Sequence, residues 1–160
     1  MITVEDELFG RLEFDGVWSR PYEIEIFNRK VNVVLIVQTF DDDPISNNQR
    51  MTFLEFAGSQ KSIIERVEVA ALNYYLSKVE DYRACFDRDE VERKAPKTCD
   101  VFGFGELVEL KQIKIMYTDE GRDREVGFVF DAVFDEQLGV GVLVSNGVVI
   151  DVDVQDIVLG

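Results

Sequence analysis

The sequence predicts an α+β domain whose sheet is mostly antiparallel, formed by N-terminal hairpins and a C-terminal β-meander, with two central helices packed on it. Three observations predict this class. Strand-like patterns occur in the first and last thirds of the chain, two segments of helical periodicity lie between them, and the two kinds of pattern do not alternate. With 160 residues, 46% of them hydrophobic, the chain has the length and composition of a single domain over residues 1–160.

Hydrophobic patterning predicts a hairpin near the N-terminus. Tyr22–Phe27 alternates, so that Ile24 and Ile26 face one side of a strand while two glutamates face the other. Lys30–Thr39 is apolar at most positions and rich in β-branched residues, which is typical of a strand covered on both faces. The alternation in Leu8–Phe14 is poor.

Two helices are predicted in the middle of the chain. Ser46–Gln49 has the form of a capping box, which predicts a short helix that runs to about Ala57 and stops at Gly58. A second helix follows at once, because apolar residues recur at three- and four-residue steps from Ile63 to Tyr82. Its broad apolar arc predicts that this helix lies deep against the sheet.

The C-terminal part predicts the β-meander. A charged connecting loop over residues 87–100 leads to a helical turn at Glu106–Leu110, and Ser145–Gly147 carries a strong hairpin signal. The strands predicted here cover Ile113–Tyr117, Val126–Phe134, Gly139–Val144 and Val148–Val154.

The strong negative charge and the absence of histidine exclude several classes of function. The chain has 32 acidic and 17 basic residues, a net charge of −15 and a pI near 4.3, so it repels phosphate backbones and nucleic acid is not an expected partner. It contains no histidine, which removes the commonest metal ligand, the commonest general base and every Ser-His or Cys-His catalytic arrangement.

The chain is predicted to be cytoplasmic. Its N-terminal segment Met1–Glu7 is acidic and lacks a basic region, which predicts no secretory signal. The longest apolar run, Val33–Val37, is much shorter than a membrane span, so no membrane partner is expected. Cys85 and Cys99 are then expected to be reduced thiols.

No metal or cofactor site is predicted. The acidic run Asp41–Asp43 invites a calcium site, but Ile45 and Ser46 stand where a calcium-binding loop needs an acidic or amide side chain and a glycine. Gly103–Gly105 lacks the third glycine of a phosphate-binding loop. The acidic run is therefore interpreted as a solvated turn.

Paired carboxylates are the catalytic option that the absence of histidine leaves open. Asp131 with Asp135, and Asp151 with Asp153, are expected to share strand faces, where such pairs can serve as acid and base in glycoside cleavage. The same spacing marks the solvated side of an alternating strand, and pairs arise by chance among 32 carboxylates. We therefore predict no enzymatic activity.

The acidic residues of the last strands form the candidate binding surface. Residues 1–57 carry a net charge of −6, residues 58–100 of −1 and residues 101–160 of −8, so the excess lies in the β regions. If the last three strands pair, an acidic surface results that would attract a basic protein; plain solubility is the alternative explanation. Trp18 is either an exposed interface anchor or a ring folded over the sheet edge. The predicted partner-binding residues are Trp18, Asp131, Asp135, Glu136, Asp151, Asp153 and Asp156.

Several segments together resemble an uncharacterised family of small acidic bacterial α+β domains. They are Phe9–Leu12, Tyr74–Tyr75, Val126–Gly139, Val140–Ile150 and Gln155–Leu159. Members of this family are similar in size and charge to immunity proteins encoded beside bacterial toxins. The resemblance implies a cytoplasmic immunity protein that neutralises a basic toxin domain by occluding its active surface. The alternative is a housekeeping domain that binds a small ligand or sugar between helix and sheet, with or without carboxylate catalysis.

Overall fold

The fold is built on one sheet whose strands are neighbours in space in the same order as in sequence. The structure, a computed structural model, describes residues 2–41 and 43–159, and the sheet within them has eight strands. Every neighbouring pair is antiparallel except the fourth and fifth strands, which are parallel. The strands are β1 Ile2–Asp6, β2 Gly10–Phe14, β3 Trp18–Ile26, β4 Arg29–Val37, β5 Val108–Ile115, β6 Glu125–Ala132, β7 Val140–Ser145 and β8 Val148–Asp153.

The two longer helices lie in the connection between β4 and β5. A parallel strand pair needs a crossover connection, and these helices provide most of it. No helix of the described part is both long and apolar enough to cross a membrane. The helices are α1 Asn47–Gly58, α2 Gln60–Arg83, α3 Val91–Lys94, α4 Val101–Gly105 and α5 Asp156–Leu159.

The predicted capping box at the start of α1 is confirmed. The Ser46 Oγ accepts a hydrogen bond from Gln49 N at 3.1 Å, and the Gln49 Oε1 accepts one from Ser46 N at 3.1 Å. The helix ends at Gly58, as predicted. Ser59 is the N-cap residue of α2, but its side chain makes no capping hydrogen bond.

Aromatic side chains join α1 to one face of the sheet, and α2 to α4 and the β6–β7 turn. Phe56 of α1 packs against Phe128 of β6, with ring centroids 5.9 Å apart. Tyr75 of α2 is fully buried and packs against Phe134 at 4.6 Å and Phe104 at 5.6 Å. These contacts belong to one continuous hydrophobic core.

The opposite face of the sheet receives the short C-terminal helix α5. Its Val158 is fully buried against two glycines, and a Cβ added at Gly127 would lie 2.9 Å from Val158 Cβ. A Cβ at Gly141 would lie 2.9 Å from the carbonyl oxygen of Val154. Lys114, on the same face, donates a hydrogen bond to the Leu159 carbonyl oxygen at 3.2 Å, and its burial lowers its pKa.

The prediction of a mostly antiparallel sheet is confirmed, but several elements differ from the prediction. Strands β1 and β2 were not expected, and neither was α5. The helical turn expected at Glu106–Leu110 is wrong, because the helix is α4 and β5 already begins at Val108. Two glycines reduce the helix propensity of α4, yet the Asp100 cap and the buried Phe104 stabilise it there.

An ion pair attaches the edge strand β1 to α1. Both guanidinium Nη atoms of Arg50 donate to the Asp6 carboxylate, at 2.9 and 2.6 Å. The Asp6 Oδ1 also accepts hydrogen bonds from Leu8 N and Phe9 N in the β1–β2 turn. The hydrogen bonds from Arg50 are the main cause that holds the pKa of Asp6 well below its ordinary value.

Replacing Asp6 by asparagine is expected to lower the free energy of unfolding by about 1 kcal/mol at pH 7, because Arg50 loses its anionic partner but is partly solvated. The amide oxygen can still accept the turn hydrogen bonds, whereas the amide nitrogen cannot accept from Arg50, so the substitution removes the charge and one hydrogen bond of the ion pair. A lowered pKa in the folded state stabilises the fold above about pH 4, the unfolded value, and less as the pH falls further. Urea unfolding should therefore give a smaller difference between the two proteins at pH 2.5, and an unchanged difference would contradict the prediction.

Candidate functional site

Three of the predicted acidic residues share one face of the C-terminal strands. Asp151 is opposite Leu143 and Asp153 is opposite Gly141 in the β7–β8 pairing. Paired residues of antiparallel strands point to the same face, and alternate residues along a strand do so as well. By this register Asp131 of β6 lies on the same face, where its Oδ1 accepts a hydrogen bond from Gln155 Nε2 at 3.1 Å.

The remaining acidic residues lie in the β6–β7 turn and at the start of α5. The Asp135 Oδ1 accepts a hydrogen bond from Leu138 N at 3.2 Å. Glu136 is exposed and its carboxylate lies 3.7 Å from Lys94 Nζ. Asp156, the first residue of α5, is exposed. Asp131 and Asp135 do not share a strand face as expected, because β6 ends at Ala132.

Trp18 is not an exposed anchor. Only 7% of its surface is accessible, and its ring packs against Phe14 with centroids 5.0 Å apart. Its Nε1 donates a hydrogen bond to the Asp43 carbonyl oxygen at 3.2 Å. The alternative, a ring folded over the sheet edge, does not describe it either, because β3 is an inner strand and Trp18 belongs to the core.

A cleft opens where the parallel strands separate. β4 and β5 pair only through Val34–Val37 and Gln112–Ile115, so their N-terminal halves diverge. The gap has a volume of about 570 Å³. We call it the acidic cleft; it is lined by Ile26, Phe27, Arg29, Val31, Gly105, Glu106, Leu107, Val108, Glu109, Leu110, Asp131, Ala132, Val133 and Glu136.

The acidic cleft combines an apolar floor with a negative rim. Four carboxylates line it, and Arg29 is the cation among its lining residues. The Arg29 guanidinium donates to the Gly105 carbonyl oxygen at 2.6 Å and lies 3.4 Å from the Glu106 carboxylate. Both partners of Arg29 therefore belong to the lining of the cleft itself. Asp131 and Glu136 were predicted from the sequence, but Glu106 and Glu109 were not. Glu109 joins them because it is paired with Asp131 in the β5–β6 register, and the sequence predicted a helical turn at this position.

A strained turn forms one wall of the cleft. Phe27 and Asn28 connect β3 to β4 with φ of +52° and +62°, a conformation that phenylalanine rarely adopts. The Glu68 Oε2 accepts a hydrogen bond from Phe27 N at 2.5 Å, and a Cβ added at Gly105 would lie 2.7 Å from Phe27 Cβ. Burial raises the pKa of Glu68, against the effect of this hydrogen bond. Strained residues held in this way are concentrated at functional sites.

The other residues considered for chemistry do not assemble into a site. Asp42 lies outside the described residues, and Asp41 and Asp43 are exposed. Residues 2–41 and 43–159 contain no group of three side chains placed to hold a metal ion. Cys85 and Cys99 are free, and burial raises the pKa of the Cys99 thiol, which disfavours the reactive thiolate.

One comparison with known proteins gives a match. A family model described as Domain of unknown function (DUF6985) matches residues 8–159, which is most of the chain. No curated protein and no solved structure matches it.

Proposed function

The chain belongs to the family described as Domain of unknown function (DUF6985), and we propose that this member binds a basic protein in the cytoplasm and neutralises it. The mode of action that we propose is that of an immunity protein, which covers the active surface of a cognate toxin domain. No catalytic step and no cofactor form part of the proposal.

The single observation that carries the proposal is the convergence of carboxylates around the acidic cleft. Acidic residues from β5, β6 and the β6–β7 turn line its rim, although they are far apart in sequence. By the strand register, Asp151 and Asp153 of β8 share the sheet face of Asp131 and lie beyond β7. A concave site with this charge fits basic side chains of a partner better than an anionic or neutral surface.

The proposed binding separates into two physical contributions. The net charge of −15 attracts a basic partner over long distances and raises the association rate. Once the partner is bound, burial of a few apolar and basic side chains in the cleft slows dissociation. Occlusion then follows from size alone, since a stable interface covers about 800 Å² on each protein.

A small-molecule ligand is the second candidate function. The volume of the acidic cleft, about 570 Å³, falls in the range typical of ligand pockets. Its apolar floor with a few carboxylates at the rim also fits a sugar, whose hydroxyl groups donate hydrogen bonds to carboxylates.

Co-expression tests the two functions against each other. We expect the purified domain to bind the product of the reading frame adjacent to its own gene, and co-expression to relieve the toxicity of that product. A thermal-shift screen with sugars should leave the melting temperature unchanged. Absence of binding to the adjacent product, together with stabilisation by a sugar, would overturn the immunity proposal and support the alternative.

A further inference from the structure

A second groove lies on the other side of the strained Phe27–Asn28 turn. It has a volume of about 710 Å³ and runs between α2, β3 and α4. We call it the α2 groove. The lining residues that matter here are Glu25, Glu65, Glu68, Val69, Val101 and Phe102.

Phe102 is an exposed aromatic residue on a firmly held support. It is 59% exposed, whereas Phe104, two residues later in α4, is fully buried. The Asp100 Oδ1 accepts a hydrogen bond from Gly103 N at 2.7 Å, and Arg29 binds the Gly105 carbonyl oxygen at 2.6 Å. These hydrogen bonds and the buried Phe104 hold α4 in place, and the Phe102 ring is not needed for its packing. The exposed ring is therefore carried by a rigid element.

The two cavities are neighbours on either side of α4. α4 separates them, with Val101 and Phe102 lining the α2 groove and Gly105 lining the acidic cleft. Ile26 lines both. Phe102 lines the α2 groove alone, one helix away from the acidic cleft.

The chemistry of the α2 groove matches that of the acidic cleft. Three glutamates line it against one cation, Lys61, and the apolar Val69 is 48% exposed. Exposed aromatic residues next to pockets are typical energetic centres of protein interfaces. Negative charge around an apolar wall favours a segment that carries both aliphatic and basic side chains, while a net charge of −15 opposes pairing with a second copy.

We propose that Phe102 is the apolar anchor of the partner-binding surface, and that the α2 groove accepts an aliphatic side chain flanked by basic residues of the partner. This inference rests on the proposed binding of a basic protein. It adds that the partner must carry an aliphatic side chain beside its basic residues, because charge alone is then insufficient for stable binding.

Two synthetic peptides of equal length and charge test the inference. One alternates arginine with leucine and the other alternates arginine with serine, and each is titrated into the full chain at low salt with calorimetry as the readout. We expect the arginine–leucine peptide to bind about tenfold more tightly, because only this peptide can bury leucine side chains beside Phe102. Phe102→Ala should reduce this preference to about twofold and leave the melting temperature unchanged, since the ring is exposed.

Phe40→Ala is the matched control. Phe40 is 65% exposed and contacts Tyr117, but it follows the far end of β4, away from both cavities. The control should keep the full preference for the leucine peptide. Equal binding of the two peptides, or a preference that survives in Phe102→Ala, would overturn the anchor and leave the proposed function standing. Failure of both peptides to bind would overturn the proposed function itself.

Discussion

Gly139→Ala is expected to lower the free energy of unfolding by about 3 kcal/mol or more. Gly139 has a φ of +57°, which alanine adopts only with strain, and its added methyl group would overlap the Phe130 carbonyl oxygen and the Gln155 side-chain amide. The Gln155 amide donates to both the Phe130 carbonyl oxygen and the Asp131 carboxylate. The substitution therefore strains the backbone of the turn and also disrupts the hydrogen bonds of Gln155. Urea unfolding at neutral pH measures the loss of stability.

Gly16→Ala is the control for backbone strain alone. Gly16 has a φ of +78°, but no atom lies within 4 Å of its added Cβ. Its cost should be about 1 kcal/mol. An equal loss of stability in the two variants would mean that steric overlap at Gly139 adds nothing to the cost of backbone strain. The β6–β7 turn would then be less tightly packed than the contacts of Gly139 indicate.

Local signals in the sequence were sufficient for the elements they describe. The capping box placed the start of α1, and the Ser145–Gly147 signal placed the β7–β8 turn, because the bonds or backbone angles that define them lie within a few residues. The alternation in β3 was equally informative, since one side of that strand faces the core while the other is solvated.

Non-local contacts explain what the sequence did not predict. β1 carries exposed Ile2 and Val4 at the sheet edge, so burial imposes no clear alternation on it. α5 is a single turn whose place depends on two glycines of distant strands. The acidic cleft depends on the parallel pairing of β4 and β5, which is confined to their C-terminal halves and follows the long helical crossover.

Charge reversal of the acidic surface is expected to slow association more than tenfold at low salt. The variant replaces Glu136, Asp151 and Asp156 by lysine, which changes the net charge from −15 to −9. All three side chains are exposed, so stability should change little. Asp135 is left intact because its carboxylate accepts a hydrogen bond in the β6–β7 turn. Stopped-flow fluorescence with a labelled arginine–serine peptide measures the rate.

A matched variant separates local steering from net charge. Glu5, Glu13 and Asp15 are exposed on β1, on β2 and just after β2, at the opposite edge of the sheet from β8, and their replacement by lysine changes the net charge equally. If the acidic surface steers the partner, this control should slow association much less. The difference should shrink toward physiological ionic strength, where the screening length falls to about 8 Å. Equal slowing by both variants would mean that overall charge, and not the local cluster of Glu136, Asp151 and Asp156, governs the encounter.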